Sequence, residues 1–247
     1  MLNRISWLKI LFAPLALTLA FTVSAAAQSA EINQAFEQGL AAFERGQHER
    51  ALFEYRSALA WPGQHQARAR FNIGVCLHKL GRMREAVTEY RTAITLRAGN
   101  YVAASYALGV ALQNLREHRD ARAAFAQAAE TSGGKHAGAL FELGLYAQAK
   151  RDYDTAADFY YRSLKQSKNN LPAAHNNLGV ILASYGQMEE ARQEFEIALS
   201  QSRGKFSEAR DNLARCRERL SAKSGTRIAG LKTSGAGFSP RPALSAD

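Results

Sequence analysis

ARARFNIGVCLHKLGRMREAVTEYRTAITLRAGN, residues 67–100, comes back in altered form along most of the 247-residue chain. Gly39, Gly74, Gly109, Gly144 and Gly179 stand 35 residues apart. Ala51, Ala86, Ala121, Ala156 and Ala191 keep the same step, and so do Tyr55, Tyr90, Phe125, Tyr160 and Phe195. Three columns in register over five copies exclude chance, and a fixed period of this size marks a stacked-repeat protein.

Within the quoted copy, Ile73, Cys76, Leu77 and Leu80 are spaced i, i+3, i+4, i+7, one apolar stripe of an α-helix. Gly81 follows where a left-handed residue closes a helix. A second stripe then runs through Met83, Ala86, Val87, Tyr90, Ala93 and Ile94, so each unit reads helix, short turn, helix. The Gly74 and Ala86 columns stay small because two helices approach closely only where a side chain is short or absent, and the Tyr90 column fills the space beside them. A lone hairpin cannot bury its stripe, so copies stack and share a core.

The unit resembles a tetratricopeptide repeat, whose pattern is W-x2-L-G-x2-Y, then A-x3-F, then P. The second copy reads Arg70, Ile73-Gly74, Leu77 and Ala86-x3-Tyr90; the fifth reads His175, Leu178-Gly179, Leu182 and Ala191-x3-Phe195. The resemblance covers residues 32–205, as copies at 32–65, 67–100, 102–135, 137–170 and 172–205. No copy carries the Trp, and the terminal Pro survives only as Pro62. The 35-residue step, one longer than the usual period, predicts an extra residue in each inter-repeat turn. What the resemblance implies is an all-α fold, a right-handed α-α superhelix of five hairpins whose first helices line a concave groove for a peptide or partner protein. The Lys/Asn/Arg clamp of the chaperone-tail-binding subfamily is absent, because the matching faces carry Phe36, Leu40, Phe71, Val75, Tyr106 and Val110.

The two ends differ from the repeats. Arg4 and Lys9 precede an apolar run, Ile10 to Val23, followed by Ser24-Ala25-Ala26-Ala27. This is the pattern of a secretory signal peptide over residues 1–27, with cleavage expected after Ala27. The alternative is a retained anchor, for which the run is short against the roughly 20 apolar residues that a spanning helix needs. The expected location is a periplasm or outside the cell. Residues 206–221 read as a capping helix: Leu213, Cys216 and Leu220 keep the inner stripe and Arg217 replaces its remaining member, as a solenoid end requires. Residues 222–247 are rich in Gly, Ser and Pro, lack apolar periodicity and read as a disordered basic tail.

The formal charge of +10 invites a nucleic-acid reading, but the cations are spread out. Two belong to the leader and four, Lys223, Arg227, Lys232 and Arg241, to the tail, while acids are interspersed along the helices. No nucleic-acid partner is expected; a weak attraction of the tail to anionic membrane or cell-wall polymer is the more credible use of this charge. Cys76 and Cys216 are 140 residues apart, four repeats, and occupy the same place in the first-helix stripe. Helices stacked about 8–10 Å apart keep them far beyond the roughly 7 Å a disulfide tolerates, so both are expected free and buried. The six histidines show no metal-binding spacing, Gly133-Gly134-Lys135 lacks the rest of a phosphate loop, and no catalytic constellation, metal or cofactor is expected. His48 and His118 share a second-helix column with Met83 and read as packing residues.

The first helices are apolar on a second face as well. Phe36, Phe71, Tyr106 and Phe141 form one column; Leu40, Val75, Val110, Leu145 and Val180 form another, with His78 beside them. Two readings are open: these residues pack between neighbouring first helices, or they line the groove and hold an apolar or extended peptide. The second makes Phe36, Leu40, Phe71, Val75, His78, Tyr106, Val110, Phe141 and Leu145 the candidate partner-binding residues. The leading expectation is a non-enzymatic scaffold in envelope assembly or secretion. Its rivals are a docking or regulatory subunit of an envelope enzyme complex and a self-assembling structural protein.

Overall fold

The computed structural model describes residues 6–221, with side chains from residue 25 onward; the tail expected to be disordered, residues 222–247, lies outside the described residues. Among the described residues every regular element is helical: α1 Ser6–Glu44, α2 His48–Ser57, α3 His65–Lys79, α4 Met83–Leu96, α5 Val102–Asn114, α6 His118–Thr131, α7 Ala137–Ala149, α8 Tyr153–Gln166, α9 Pro172–Ser184, α10 Met188–Gln201 and α11 Ser207–Ser221. A 3-10 turn, Ala58–Ala60, follows α2. The described residues divide between Leu96 and Arg97 into two compact units. In the first, α1 to α4 pack each on the next; in the second, α5 to α11 do so, and α11 touches both α10 and α9. No helix among the described residues is long and apolar enough to cross a membrane.

Each hairpin closes through the same turn. The residue just after the turn's left-handed position donates to the carbonyl five residues back, in a Schellman pattern: Gln47 N to Ala42 O, Arg82 N to Leu77 O and Glu117 N to Leu112 O, each at 2.9 Å, and Asp152 N to Ala147 O and Gln187 N to Leu182 O, each at 3.0 Å. The residue just before each of these donors has positive φ: Gly46 (75°), Gly81 (76°), Arg116 (63°), Arg151 (61°) and Gly186 (81°). The two arginines therefore take the backbone that glycine takes elsewhere. The four later inter-repeat turns differ in having two left-handed residues in succession, at 98–99, 133–134, 168–169 and 203–204, whereas the connection from α2 to α3 has the 3-10 turn and a single positive-φ residue, Gly63. That doubled left-handed step is the shape of the turns in which the 35-residue period predicts an extra residue.

The repeat columns meet inside each hairpin. A Cβ built on Gly39, Gly74, Gly109, Gly144 or Gly179 would lie 2.5–2.6 Å from a ring carbon of Tyr55, Tyr90, Phe125, Tyr160 or Phe195, respectively. Glycine is thus required by the aromatic ring of the paired helix, within its own repeat. The missing Trp also has a local reason. In its column Arg70 Nη1 contacts Glu89 Oε2 at 2.9 Å, and His175 Nδ1 contacts Glu194 Oε2 at 2.6 Å. Residues 70 and 175, and 89 and 194, are equivalent places, so a cross-hairpin polar pair occupies the site of the bulky ring. The intervening copies carry Ser105 with Ala124 and Leu140 with Phe159 in those columns.

The second unit ends as the charge pattern of α11 predicts. Leu213 and Cys216 join Ala183, Ala191 and Phe195 in one buried cluster, with Leu220 packed against it. Arg217 stays outside and contacts Glu196 at 2.9 Å. Cys76 and Cys216 are both free and buried. Burial pushes the Cys76 thiol up to about 12, which makes it an inert packing residue. His48 packs at 5.0 Å on the Phe43 ring. His118 departs from the packing expectation: it lies exposed, with Tyr146 at 6.5 Å.

Candidate partner-binding face

The aromatic column of the first helices lies in the core. Phe71 and Phe141 have no exposed surface, and Phe36 and Tyr106 are buried. Each ring turns toward the second-helix aromatic of its own repeat: Phe36 to Tyr55 at 5.8 Å, Phe71 to Tyr90 at 5.9 Å, Tyr106 to Phe125 at 5.5 Å and Phe141 to Tyr160 at 5.6 Å. Such tilted pairs at 4.5–7 Å are a favoured aromatic geometry. The Arg68 guanidinium covers the Phe36 ring at 3.5 Å. Val75 and Val110 are buried too. An open groove lined by Phe36, Phe71, Val75, Tyr106, Val110 and Phe141 is therefore corrected to a second packed seam: on these helices two apolar faces mean two buried faces. Of the nine candidates, Leu40 is 40% exposed, and His78 and Leu145 are half-buried. Burial lowers the His78 pKa, and Lys79 adds to the effect, so the charged ring is disfavoured there.

What remains accessible on the first helices of the second unit is edged by polar residues that the apolar columns concealed. Glu142, Asn177 and Asn212 share one register and are all buried, as is Asn72 at the equivalent place in the first unit. Gln113 on α5 donates through Nε2 to Glu142 Oε2 on α7 at 3.1 Å. One repeat further on, Gln148 on α7 accepts from the Tyr160 hydroxyl at 2.6 Å, and that oxygen accepts from Asn177 Nδ2 at 3.2 Å. Asn176 donates to Asn177 Oδ1 at 3.3 Å, and Asn212 of α11 donates to Asn176 Oδ1 at 2.9 Å. In this way polar side chains bridge successive first helices through the second unit. The same 35-residue register that exposed the glycine column would have exposed this one.

Glu142 is the unusual member. It is a carboxyl with 4% exposure, and among the described residues Gln113 is its one hydrogen-bond donor. Burial pushes its pKa up to about 7, and the Gln113 hydrogen bond offsets only part of that. Near it stand phenols without hydrogen-bond partners, Tyr106 and Tyr146. Burial raises both above the ordinary phenol value, and the Glu142 charge adds to it.

A sequence model of the tetratricopeptide repeat matches residues 36–101 and 106–172, more than half of the chain. The chain belongs to the tetratricopeptide repeat family. No curated protein matches it. Solved tetratricopeptide-like structures share its fold. PilF of Pseudomonas aeruginosa is 19% identical, covers 81% of this chain and 95% of its own, and has a TM-score of 0.62. MamA from Desulfovibrio magneticus is 18% identical over 71% of this chain and 97% of its own, with a TM-score of 0.58. A tetratricopeptide repeat protein from Parabacteroides merdae is 15% identical over 78% and 74%, with a TM-score of 0.62. At these identities the likeness concerns the fold. Tetratricopeptide repeats are in general protein-interaction scaffolds, and this chain is built on that plan.

Proposed function

We propose that this tetratricopeptide repeat protein is an exported, non-catalytic scaffold that binds a protein or peptide partner on its first-helix faces, in cell-envelope assembly or secretion. The observation that carries the reading is family membership combined with first helices that keep part of one face open while the rest is packed. Leu40 and His78 mark that face in the first unit, and Leu145, Tyr146, Gln148 and Val180 mark it in the second. Export is supported by the leader composition, with Arg4 and Lys9 ahead of an apolar run and exposed small residues at Ala25–Ala27.

The test is photocrosslinking in living cells with p-benzoylphenylalanine placed at Leu40 or Leu145, and at the exposed second-helix residues Arg56 and Arg91 as controls. The reading predicts a discrete adduct from Leu40 or Leu145, recovered in the envelope fraction and absent from the controls. Equal labelling from second helices, or recovery only in the cytosol, would overturn it.

A further inference from the structure

We infer that the first-helix face of the second unit carries a receptor for a lysine side chain of the partner, built from the Glu142 carboxyl, the Gln113 amide and the Tyr106 and Tyr146 phenols. The inference rests on the scaffold reading and gives the partner a chemistry.

Register brings the four side chains together. Tyr106 and Gln113 lie seven residues apart on one stripe of α5, and Glu142 and Tyr146 lie four apart on one stripe of α7. The Gln113–Glu142 hydrogen bond, at 3.1 Å, ties the two stripes. The Phe125 ring of α6 lies 5.5 Å from Tyr106 and 6.3 Å from Tyr146, so both tyrosines gather around one ring. Gln113 and Tyr146 are half-exposed and form the edge, while Glu142 and Tyr106 lie behind them, almost fully buried.

The chemistry is unfinished. A carboxylate offers roughly four acceptor positions, and Glu142 uses one, on Oε2. The Tyr106 and Tyr146 hydroxyls make no hydrogen bond although both oxygens are buried. Buried polar groups normally find partners, and a buried carboxylate without a cation is costly. The described residues supply no cation to Glu142. An ammonium brings three donors and one positive charge, and the free Glu142 oxygen and the two phenol oxygens, both of which feel the Glu142 charge, offer three acceptors and one negative charge. Aromatic faces add cation–π attraction. An anion would meet the carboxylate and be repelled. The chain as a whole is basic at +10, so long-range attraction of a cation plays no part and recognition is local.

The experiment follows the Glu142 carboxyl by 13C NMR of the full chain labelled at glutamate, during pH titration with acetyl-Ala-Lys-Ala-amide or acetyl-Ala-Gln-Ala-amide. An ammonium beside the carboxylate favours its ionised form. The lysine peptide should therefore lower the Glu142 midpoint, and the glutamine peptide should leave it unmoved. Glu142→Gln, which keeps the shape and a Gln113 partner, should weaken the lysine peptide by roughly tenfold or more, about 1.4 kcal/mol. Tyr106→Phe should weaken it while leaving the melting temperature unlowered, because it deletes a hydroxyl that has no partner in the fold. An unmoved midpoint, or equal affinity for Glu142→Gln, overturns the receptor. First-helix adducts with an unmoved midpoint would sink this inference and leave the scaffold standing; a moved midpoint without adducts would do the reverse.

Discussion

Arg116 and Arg151 hold backbone conformations that three other hairpins give to glycine, at φ of 63° and 61°. A left-handed conformation costs a non-glycine residue about 1–2 kcal/mol, and glycine gives back part of that through its freer unfolded chain. Arg116→Gly and Arg151→Gly should each stabilise the protein by about 0.5–1 kcal/mol in urea unfolding; a loss of stability would mean a turn of different shape. The tyrosines of the repeat column divide in the same spirit. The Tyr90 hydroxyl is buried with no partner, whereas that of Tyr160 bonds both Gln148 and Asn177. Tyr90→Phe should be neutral or stabilising, and Tyr160→Phe should cost about 1–3 kcal/mol, because buried amide groups then lose a partner. Equal effects of the two would contradict the hydrogen-bond assignment. Glu142 sets a pH dependence. Its folded pKa, about 7, lies above the ordinary 4.5, so the folded state holds the proton more tightly. Its contribution is therefore fully present below pH 4.5 and is lost as pH rises to about 7. Glu142→Gln should flatten that fall and raise stability at pH 8 by an amount on the order of 2–3 kcal/mol. A wild-type profile flat across this window would refute the assignment.

At the scale of the element, the hairpin is specified by mutual contact. Gly144 leaves room for the Tyr160 ring, at 2.5 Å from where a Cβ would stand. Gly144→Ala gains helix propensity of about 1 kcal/mol but overpacks a junction between two helices, and the net should be a loss of about 1–2 kcal/mol. A gain in melting temperature would show that the pair can spread at no cost. Helices, their glycine seam, their turns and the polar cap were all legible because each repeats or terminates a pattern. The fate of the second apolar face was not. Phe71 and Phe141 have the spacing of a second stripe whether that stripe meets solvent, a ligand or protein, and periodicity records only that a face is apolar. The polar register through Glu142 and Asn177 was hidden for the opposite reason: polar types ordinarily mark a surface, and here hydrogen bonds from Gln113 to Glu142 and from Asn177 to the Tyr160 hydroxyl of α8 allow their burial.

For the molecule as a whole, stability in a repeat array is a sum of repeats and nearest-neighbour contacts, so a substitution weakens mainly the unit that contains it. The functional account adds export: the mass of the protein recovered from the envelope should correspond to a chain starting at Gln28, and recovery of the full-length chain would remove the leader from the proposal. The central structural claim is that the aromatic column belongs to the core and that a partner meets the first helices beside it. Phe141→Ala tests this most directly, by urea unfolding of the second unit read through helical circular dichroism. The fully buried Phe141, set against Tyr160 at 5.6 Å, predicts a loss of about 3–5 kcal/mol. A change within about 0.5 kcal/mol, the range of an exposed side chain, would contradict the packed seam and return the column to an open groove.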